Sequence, residues 1–313
     1  MSGYLLKGEW HAGWYDTAAT DGEFRRSESQ FRHRITAEGS GGFKAEPGRY
    51  HLYVSLACPW AHRTLIFREL KQLEHAISVS IVDPVMHDEG WEFSNGPGCV
   101  PDTVNGFRLL REVYLAADPK YSGRVTVPVL WDKQTATIVN NESAEIIRMF
   151  NSAFDAYTAV RADLYPEPLR ALIDEINQFV FRDVNNGVYR CGFAGSQPAY
   201  DRAFDALFAA LDDLEGRLAR GRYLLGDALT EADWRLFTTL VRFDAVYYVH
   251  FKCNLRRIAD YPNLSRYLRE LYHIPGIAET VNFDHIKRHY YLSHRHLNPS
   301  GIVPKGPKLT FLS

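Results

Sequence analysis

The 313-residue chain has little cysteine: Cys58, Cys99, Cys191 and Cys253 lie far apart. Four scattered sulfurs make no disulfide framework and fit a reducing compartment. No apolar run approaches the ~20 residues of a membrane span. Lysine and arginine number 36 against 38 acidic residues, a formal net charge of -2, so no basic excess exists to draw nucleic acid or an anionic membrane surface. The opening Met-Ser-Gly-Tyr-Leu-Leu-Lys-Gly-Glu-Trp has no sustained apolar core, and no secretory signal is expected. Repeats and low-complexity tracts are absent as well. With 46% hydrophobic and 24% charged residues, the composition is that of a globular protein, expected in the cytoplasm and long enough for two domains.

One further absence matters. In Cys58-Pro59-Trp60-Ala61 the fourth position is alanine, so there is no Cys-x-x-Cys pair. An adduct on Cys58 then has no resolving cysteine close by and must be released by an outside thiol. The stretch before it, Tyr50-His-Leu-Tyr-Val-Ser, alternates as a strand entering a core does, and the stretch after it reads as a helix with Pro59 at the favoured first position. Cys58 falls at the helix start, where unpaired backbone N–H groups and the positive end of the helix dipole favour thiolate. A free cysteine is more often a small buried hydrophobe. The strand–Cys-Pro–helix context favours the reactive reading here.

Residues 1–48 show neither helical nor strand period and read as a coil whose aromatics (Trp10, Trp14, Phe24, Phe31, Phe43) lay it on the folded body, with a turn at Gly39–Gly42. Regular patterning begins with strand 50–55, helix 59–73 and strand 76–82, a right-handed unit with parallel strands. A Gly-, Pro- and aromatic-containing insert spans 84–122, with one helix at 108–116; an insert of this size is usually functional. A hairpin (126–131 and 137–139) and a helix from Ala144 to Asn151, capped by Asn141-Glu142-Ser143, complete an α/β thioredoxin-like domain over 49–152. Residues 163–297 carry helical period throughout and form an all-α domain, including the Thr230-Glu-Ala-Asp233 capping box ahead of Trp234. The tail, 298–313, reads as coil. His285, His289, His294 and His296 show spacings that mimic ligand pairs, but no cysteine or carboxylate motif completes a metal site, so they read as a histidine-rich surface and no metal is expected.

A thioredoxin-like half followed by an all-helical half is the layout of cytosolic glutathione transferases. Within them the chain closely resembles the xi class, the glutathionyl-hydroquinone reductases. The likeness is carried by Cys58-Pro-Trp-Ala-His-Arg-Thr, Trp91, Arg124-Val125-Thr126-Val127-Pro128, Glu142-Ser143, Asn185-Asn-Gly-Val-Tyr189-Arg-Cys-Gly-Phe193, His250-Phe-Lys-Cys253 and Pro275-Gly-Ile-Ala-Glu-Thr-Val-Asn-Phe-Asp-His285. It implies a cis Pro128 and a Val127 backbone that pairs with the cysteinyl peptide of glutathione. It implies that Glu142 and Ser143 hold the γ-glutamyl end, and that Trp91 and Arg124 face the rest of the tripeptide. It makes Tyr189 a proton donor, and Tyr247 and Tyr290 tyrosines whose hydroxyls point at the sulfur, with Tyr248 and Tyr291 as adjacent alternatives. Helical aromatic faces would line a flat apolar pocket for a quinol ring.

The expected activity is reduction of glutathionyl-hydroquinones through a Cys58–glutathione disulfide, with a second glutathione releasing the oxidised dimer. The resemblance also implies a homodimer paired through helical domains. Two other readings remain open at this point: an omega-like thiol transferase or dehydroascorbate reductase, and a non-catalytic glutathione-binding scaffold. The long insert with Trp91 and the Asn-Gly-Val-Tyr189 stretch argue against the former, and the intact Cys58 against the latter.

Overall fold

A computed structural model describes residues 3–312, which divide into two compact units. The first contains residues up to Trp14, Ser27–Ala162 and Glu279–Val303; the second contains Tyr15–Arg26, Asp163–Ala278 and the segment from Pro304 onward.

The N-terminal segment is not the patternless coil its sequence suggests. Strands β1 (Gly3–Leu6) and β2 (Glu9–Ala12) form an antiparallel hairpin, closed by Lys7 and Gly8 at φ 52° and 86°. Two positive-φ residues in sequence give the tight turn that matches strand twist. Strands β3 (Arg34–Thr36) and β4 (Gly42–Lys44) pair in parallel around the expected turn. These strands are three or four residues long, too short to show a period.

The first unit's main sheet is built on β5 (Tyr50–Val54), whose five residues are all buried. Such a strand must be covered on both faces. After the helix α1 (Pro59–Leu70) the chain returns as β6 (Ile77–Ile81), parallel to β5 with Tyr50 opposite Ile77. Helix α2 (Leu110–Ala117) closes the insert, and the two-residue β7 (Gly123–Arg124) pairs with β1. The hairpin β8 (Val129–Asp132) and β9 (Thr137–Asn140) then joins the sheet, giving the order β6-β5-β8-β9. Helix α3 (Ser143–Ser152) packs on α1 and buries Ile146, Ile147 and Phe150. This is the expected thioredoxin-like arrangement.

The insert is tied down rather than loose. The buried Asp102 carboxylate accepts the Tyr53 hydroxyl at 2.9 Å and the amides of Val104, Asn105 and Phe107 at 3.0–3.1 Å. Ile81 and Val100 add a two-way backbone bridge to the sheet edge. A terminal helix, Phe283–Ser293, also belongs to this unit.

The second unit is helical: α4 (Arg170–Val180), α5 (Gly187–Gly192), α6 (Gln197–Leu218), α7 (Glu231–Arg242) and a helix at Pro262–Tyr272. Every residue of α7 is buried, so it forms the centre of the bundle. The capping box is present: Asp233 accepts the Thr230 amide at 2.8 Å while Thr230 caps the opposite way. Asp233 also holds the Leu224 amide at 2.9 Å and the Tyr267 hydroxyl at 3.0 Å. Two π-helical turns, Phe181–Asn185 and Phe243–Tyr247, interrupt the regular pattern. Such turns concentrate at functional sites and leave no mark in sequence periodicity. The coil tail ends in a single 3-10 turn at Thr310–Leu312.

Candidate active site

Cys58 sits at the N-cap of α1 in extended conformation (φ -77°, ψ 121°), with Pro59 at the first helical position. Its amide bonds Ser55 O and its carbonyl accepts the His62 amide. The half-buried sulfur makes no capping bond to the helix amides. Instead the thiol donates to Val127 O at 3.6 Å. The expectation that sulfur faces helix N–H groups is therefore corrected for this form: a thiol is a donor and turns to a carbonyl, whereas a thiolate, an acceptor, gains from the helix start.

The Val127–Pro128 peptide is cis, as the resemblance implies. The loop before it is held by a residue that sequence reasoning missed. The Tyr114 hydroxyl donates to Thr126 O at 2.8 Å, accepts the Thr126 amide at 3.3 Å and accepts Asn141 Nδ2 at 3.1 Å. One buried hydroxyl thus pins both the cis-proline loop and the approach to α3. Burial raises the Tyr114 pKa, keeping it a neutral phenol able to serve both ways. Nothing in the sequence distinguishes Tyr114 from the other tyrosines.

Glu142 is the N-cap of α3, its carboxylate accepting the Ala144 amide at 3.1 Å and the Ser29 hydroxyl at 3.2 Å. Ser143 is buried and accepts from Arg63 Nη1 at 3.4 Å. Arg63 is itself buried, stacked over the Trp60 ring at 4.5 Å. A buried guanidinium beside a helix N-terminus makes this corner of the unit attractive to a carboxylate. Arg63 stands within the quoted Cys58 motif, yet its role was not legible there.

Arg124 and Trp91 also make contacts within the protein. The Arg124 guanidinium donates to Gly13 O at 2.8 Å and Trp14 O at 2.9 Å and lies over the Tyr4 ring, anchoring the N-terminal hairpin. Trp91 is buried and stacked on His289, ring centroids 4.9 Å apart. Val125 and Val127 are buried, and Thr126 is half-buried.

The histidines near the C-terminus are not a surface cluster. His285, His289 and His294 are buried. A ring nitrogen of His285 bonds Pro97 O at 2.7 Å, and one of His289 bonds Pro84 O at 2.8 Å. These bonds tie the terminal helix to the insert, and aromatic rings pack on His289 and His294. Among the described residues no group of three His, Cys, Asp or Glu side chains is arranged to hold a metal ion. Tyr290 and Tyr291, on the same helix, are both buried.

In the second unit Tyr189 lies on α5 inside an aromatic cluster. Its ring is 6.1 Å from Tyr247, 5.4 Å from Phe251, 5.9 Å from Phe193 and 6.3 Å from Phe24. The Arg26 guanidinium stands 5.0 Å over the Tyr189 ring, a cation–π contact. Tyr247 ends the second π turn and stacks on Phe251 at 5.4 Å. Of the adjacent pair, Tyr247 is buried and Tyr248 half-buried. Gly192 allows this packing: a Cβ there would lie 2.2 Å from the Phe251 ring. Phe24 and Arg26 come from a segment read as featureless coil.

Profiles of the glutathione S-transferase N-terminal and C-terminal domains match residues 57–153 and 197–270 respectively. The glutathionyl-hydroquinone reductase YqjG of Escherichia coli is 59% identical over 97% of this chain and 95% of its own length. The glutathionyl-hydroquinone reductase PcpF of Sphingobium chlorophenolicum is 56% identical over 97% of this chain and 96% of its own. The glutathione-bound structure of YqjG superposes with a TM-score of 0.92 at 54% identity, covering 99% of this chain and 97% of that one. A xi-class transferase from Natrialba magadii gives a TM-score of 0.93 at 49% identity over 100% of this chain and 95% of the other. With a thioredoxin-like unit that presents Cys58 at a helix start, a helical unit, and relatives matched over nearly their full lengths, the chain belongs to the xi class of the glutathione transferases.

Proposed function

We infer that the protein is a glutathionyl-hydroquinone reductase: it converts a glutathionyl-hydroquinone and glutathione into the hydroquinone and oxidised glutathione. Two relatives of that name, 59% and 56% identical over almost the whole chain, support the activity. The observation that carries the mechanism is Cys58 at the start of α1, its sulfur against the Val127 carbonyl of the cis-proline loop.

In this reading the Cys58 thiolate attacks the sulfur of the thioether. The S–S bond forms as the sulfur–aryl carbon bond breaks, and Tyr189 delivers a proton to the departing ring carbon. A second glutathione then attacks the mixed disulfide, releasing oxidised glutathione and the Cys58 thiolate. The backbone of Val127 pairs with the cysteinyl part of glutathione. Glu142 and Ser143, with Arg63 behind them, take its γ-glutamyl end. Tyr247 and Tyr290 serve the thiolate as hydrogen-bond donors. Trp91 and Arg124 serve the rest of the tripeptide, from side chains held by the His289 ring and by the Gly13 and Trp14 carbonyls. A homodimer and a cytoplasmic location belong to the same reading; the four free cysteines fit the latter.

The test is turnover of an aromatic glutathione thioether with excess glutathione, following oxidised glutathione and the free hydroquinone in equal amounts. Reduction of small mixed disulfides without thioether turnover would make the protein a thiol transferase instead. Light scattering at micromolar concentration tests the dimer, and the mass of a single chain would exclude it.

A further inference from the structure

The segment from Tyr15 to Arg26 belongs to the helical unit, and specific contacts hold it there. A single 3-10 turn at Ala18–Thr20 leads into Asp21 and Gly22, both left-handed at φ 51° and 84°. The Gly22 carbonyl accepts the Gly195 amide at 2.8 Å, and the Asp21 carbonyl accepts the Ser196 hydroxyl at 2.9 Å. Gly22 has no room for a side chain, since a Cβ there would lie 2.4 Å from Ser196 Oγ. The chain is thus clipped to the start of α6. Phe24 then enters the aromatic cluster, buried, with its ring 5.3 Å from Phe193. Arg26 follows, its guanidinium 5.0 Å over the Tyr189 ring and 5.7 Å over Phe24. It is half-buried, with Nε shut off from solvent, whereas Arg25 is exposed.

A tyrosine that gives up its proton among phenyl rings becomes a tyrosinate that little water reaches. Burial alone disfavours that charged form. The tyrosinate charge spreads from the oxygen into the ring, so a cation above the ring face meets it directly. A neutral ring offers the same cation only its quadrupole, and the attraction therefore grows on ionisation. The rings packed on Tyr189 within this unit are those of Phe24, Phe193, Tyr247 and Phe251, and of these only Tyr247 can ionise. The one carboxylate of the clipped stretch beyond Gly22, Glu23, is taken by other cations. It accepts Arg202 Nη2 at 3.0 Å and lies 3.7 Å from Arg25. The bond to Arg202 chiefly lowers the Glu23 pKa, and the charges of Arg190 and Arg25 act the same way.

We propose that Arg26 is a positioning residue for the proton donor: held over the Tyr189 ring, its guanidinium stabilises the tyrosinate and makes the phenol a stronger acid toward the departing ring carbon. The electron pair of the broken sulfur–aryl bond stays on that carbon and forms the new C–H bond as the Tyr189 O–H bond breaks. Tyr189 then holds its negative charge beneath Arg26. The thiol proton of the second glutathione restores it, and no other reactant enters. The inference rests on Tyr189 as the acid of the reaction proposed above.

The test first reads the Tyr189 phenol without substrate. Protein carrying carbon-13 at the tyrosine Cζ is titrated, and the Tyr189 resonance is assigned by its absence in Tyr189→Phe. Arg26→Gln should raise the Tyr189 midpoint by about one pH unit, a tenfold loss of acid strength. Arg26→Met, similar in length and uncharged, repeats the measurement with different packing. Arg26→Lys keeps the charge and should recover most of the shift. Arg25→Gln removes the same charge from the exposed neighbour and should leave the midpoint in place. Turnover is compared next. Arg26→Gln should slow turnover of an aromatic glutathione thioether by about three- to tenfold, because the proton is only partly transferred in the transition state. Mixed-disulfide reduction should be spared, and Arg26→Lys should restore the thioether rate. An unmoved Tyr189 midpoint, an equal shift in Arg25→Gln, or a loss shared by both substrates would overturn the proposal and leave Arg26 as packing. Absence of thioether turnover in the unaltered protein would overturn the reaction itself, whereas an unmoved midpoint overturns the role of Arg26 even with turnover intact.

Discussion

In the first unit the candidate groups are held by where backbone elements begin and end. Cys58 is an N-cap, Val127 precedes a cis proline and Glu142 is another N-cap. In the second unit Tyr189 and Tyr247 are held by rings: Phe24, Phe193 and Phe251 pack around them, and Gly192 makes room for Phe251. A backbone feature tolerates many neighbouring side chains as long as the caps and turns survive. A ring cluster depends on the shape of each member, because packed interiors relax only partly around a change of volume. The difference bears on where selectivity resides: in the proposed mechanism the sulfur chemistry belongs to the first unit and the carbon chemistry to the second.

Two substitutions break that comparison if it is wrong. Cys58→Ser should reduce both aryl thioether turnover and mixed-disulfide reduction to background, since both begin with sulfur attack. Tyr189→Phe should be selective. Reduction of a disulfide has a sulfur leaving group and needs no carbon protonated, whereas the departing ring carbon of a thioether is a poor leaving group. A positioned acid contributes on the order of 10²–10⁴-fold, so thioether turnover should fall by that order while disulfide reduction is spared. Equal slowing of the two reactions would mean that Tyr189 positions glutathione rather than supplying a proton.

The same contrast accounts for what the sequence revealed. Strand 50–55, the helix start at Cys58 and both caps are encoded by residues next to one another, so they are legible locally, whereas the cis proline is legible only through the family resemblance. The strands at Gly3–Leu6 and Gly123–Arg124 pair across more than a hundred residues and are too short to carry a period. The π turns follow from packing rather than local propensity. The anchoring contacts of Arg124 and the burial of the histidines are not legible locally for a related reason. A polar side chain's partners, here the carbonyls of Gly13, Trp14, Pro84 and Pro97, are backbone groups brought near only by the fold.

A smaller effect sharpens the comparison at Gly192. With a Cβ 2.2 Å from the Phe251 ring, Gly192→Ala forces that ring aside, and overpacking of this kind costs about 1–3 kcal/mol. Thermal unfolding should shift down, and thioether turnover should drop as the cluster around Tyr189 moves. The rate at which Cys58 is alkylated by iodoacetamide should stay as it was, because nothing in the first unit's backbone changes. A parallel fall in Cys58 alkylation would mean that the two sets of groups are not independently built.

The last test reads the two units through acid. Asp132, in the first unit, is pushed up by burial, but the Arg49 guanidinium, Thr135 hydroxyl and Gln134 amide more than reverse this and its pKa is lowered. Asp233, in the second, has its pKa raised from 3.8 to about 6 by burial, which the Leu224 and Thr230 amides and the Tyr267 hydroxyl only partly counter. The signs are opposite. With a folded pKa below the unfolded one, Asp132 stabilises fully above the unfolded value near 3.8, and that contribution is lost as pH falls through its folded pKa. With a folded pKa above the unfolded one, Asp233 favours the folded state most below pH 3.8, and this is lost as pH rises to about 6. The difference of 3.8 and 6 amounts to roughly 3 kcal/mol across that window. Carbon-13 titration of the aspartate carboxyls should show Asp233 changing near pH 6, well apart from Asp132. A midpoint for Asp233 at or below 4 would mean that its capping bonds outweigh burial, and that a backbone feature, rather than the surrounding packing, governs this corner of the helical unit too.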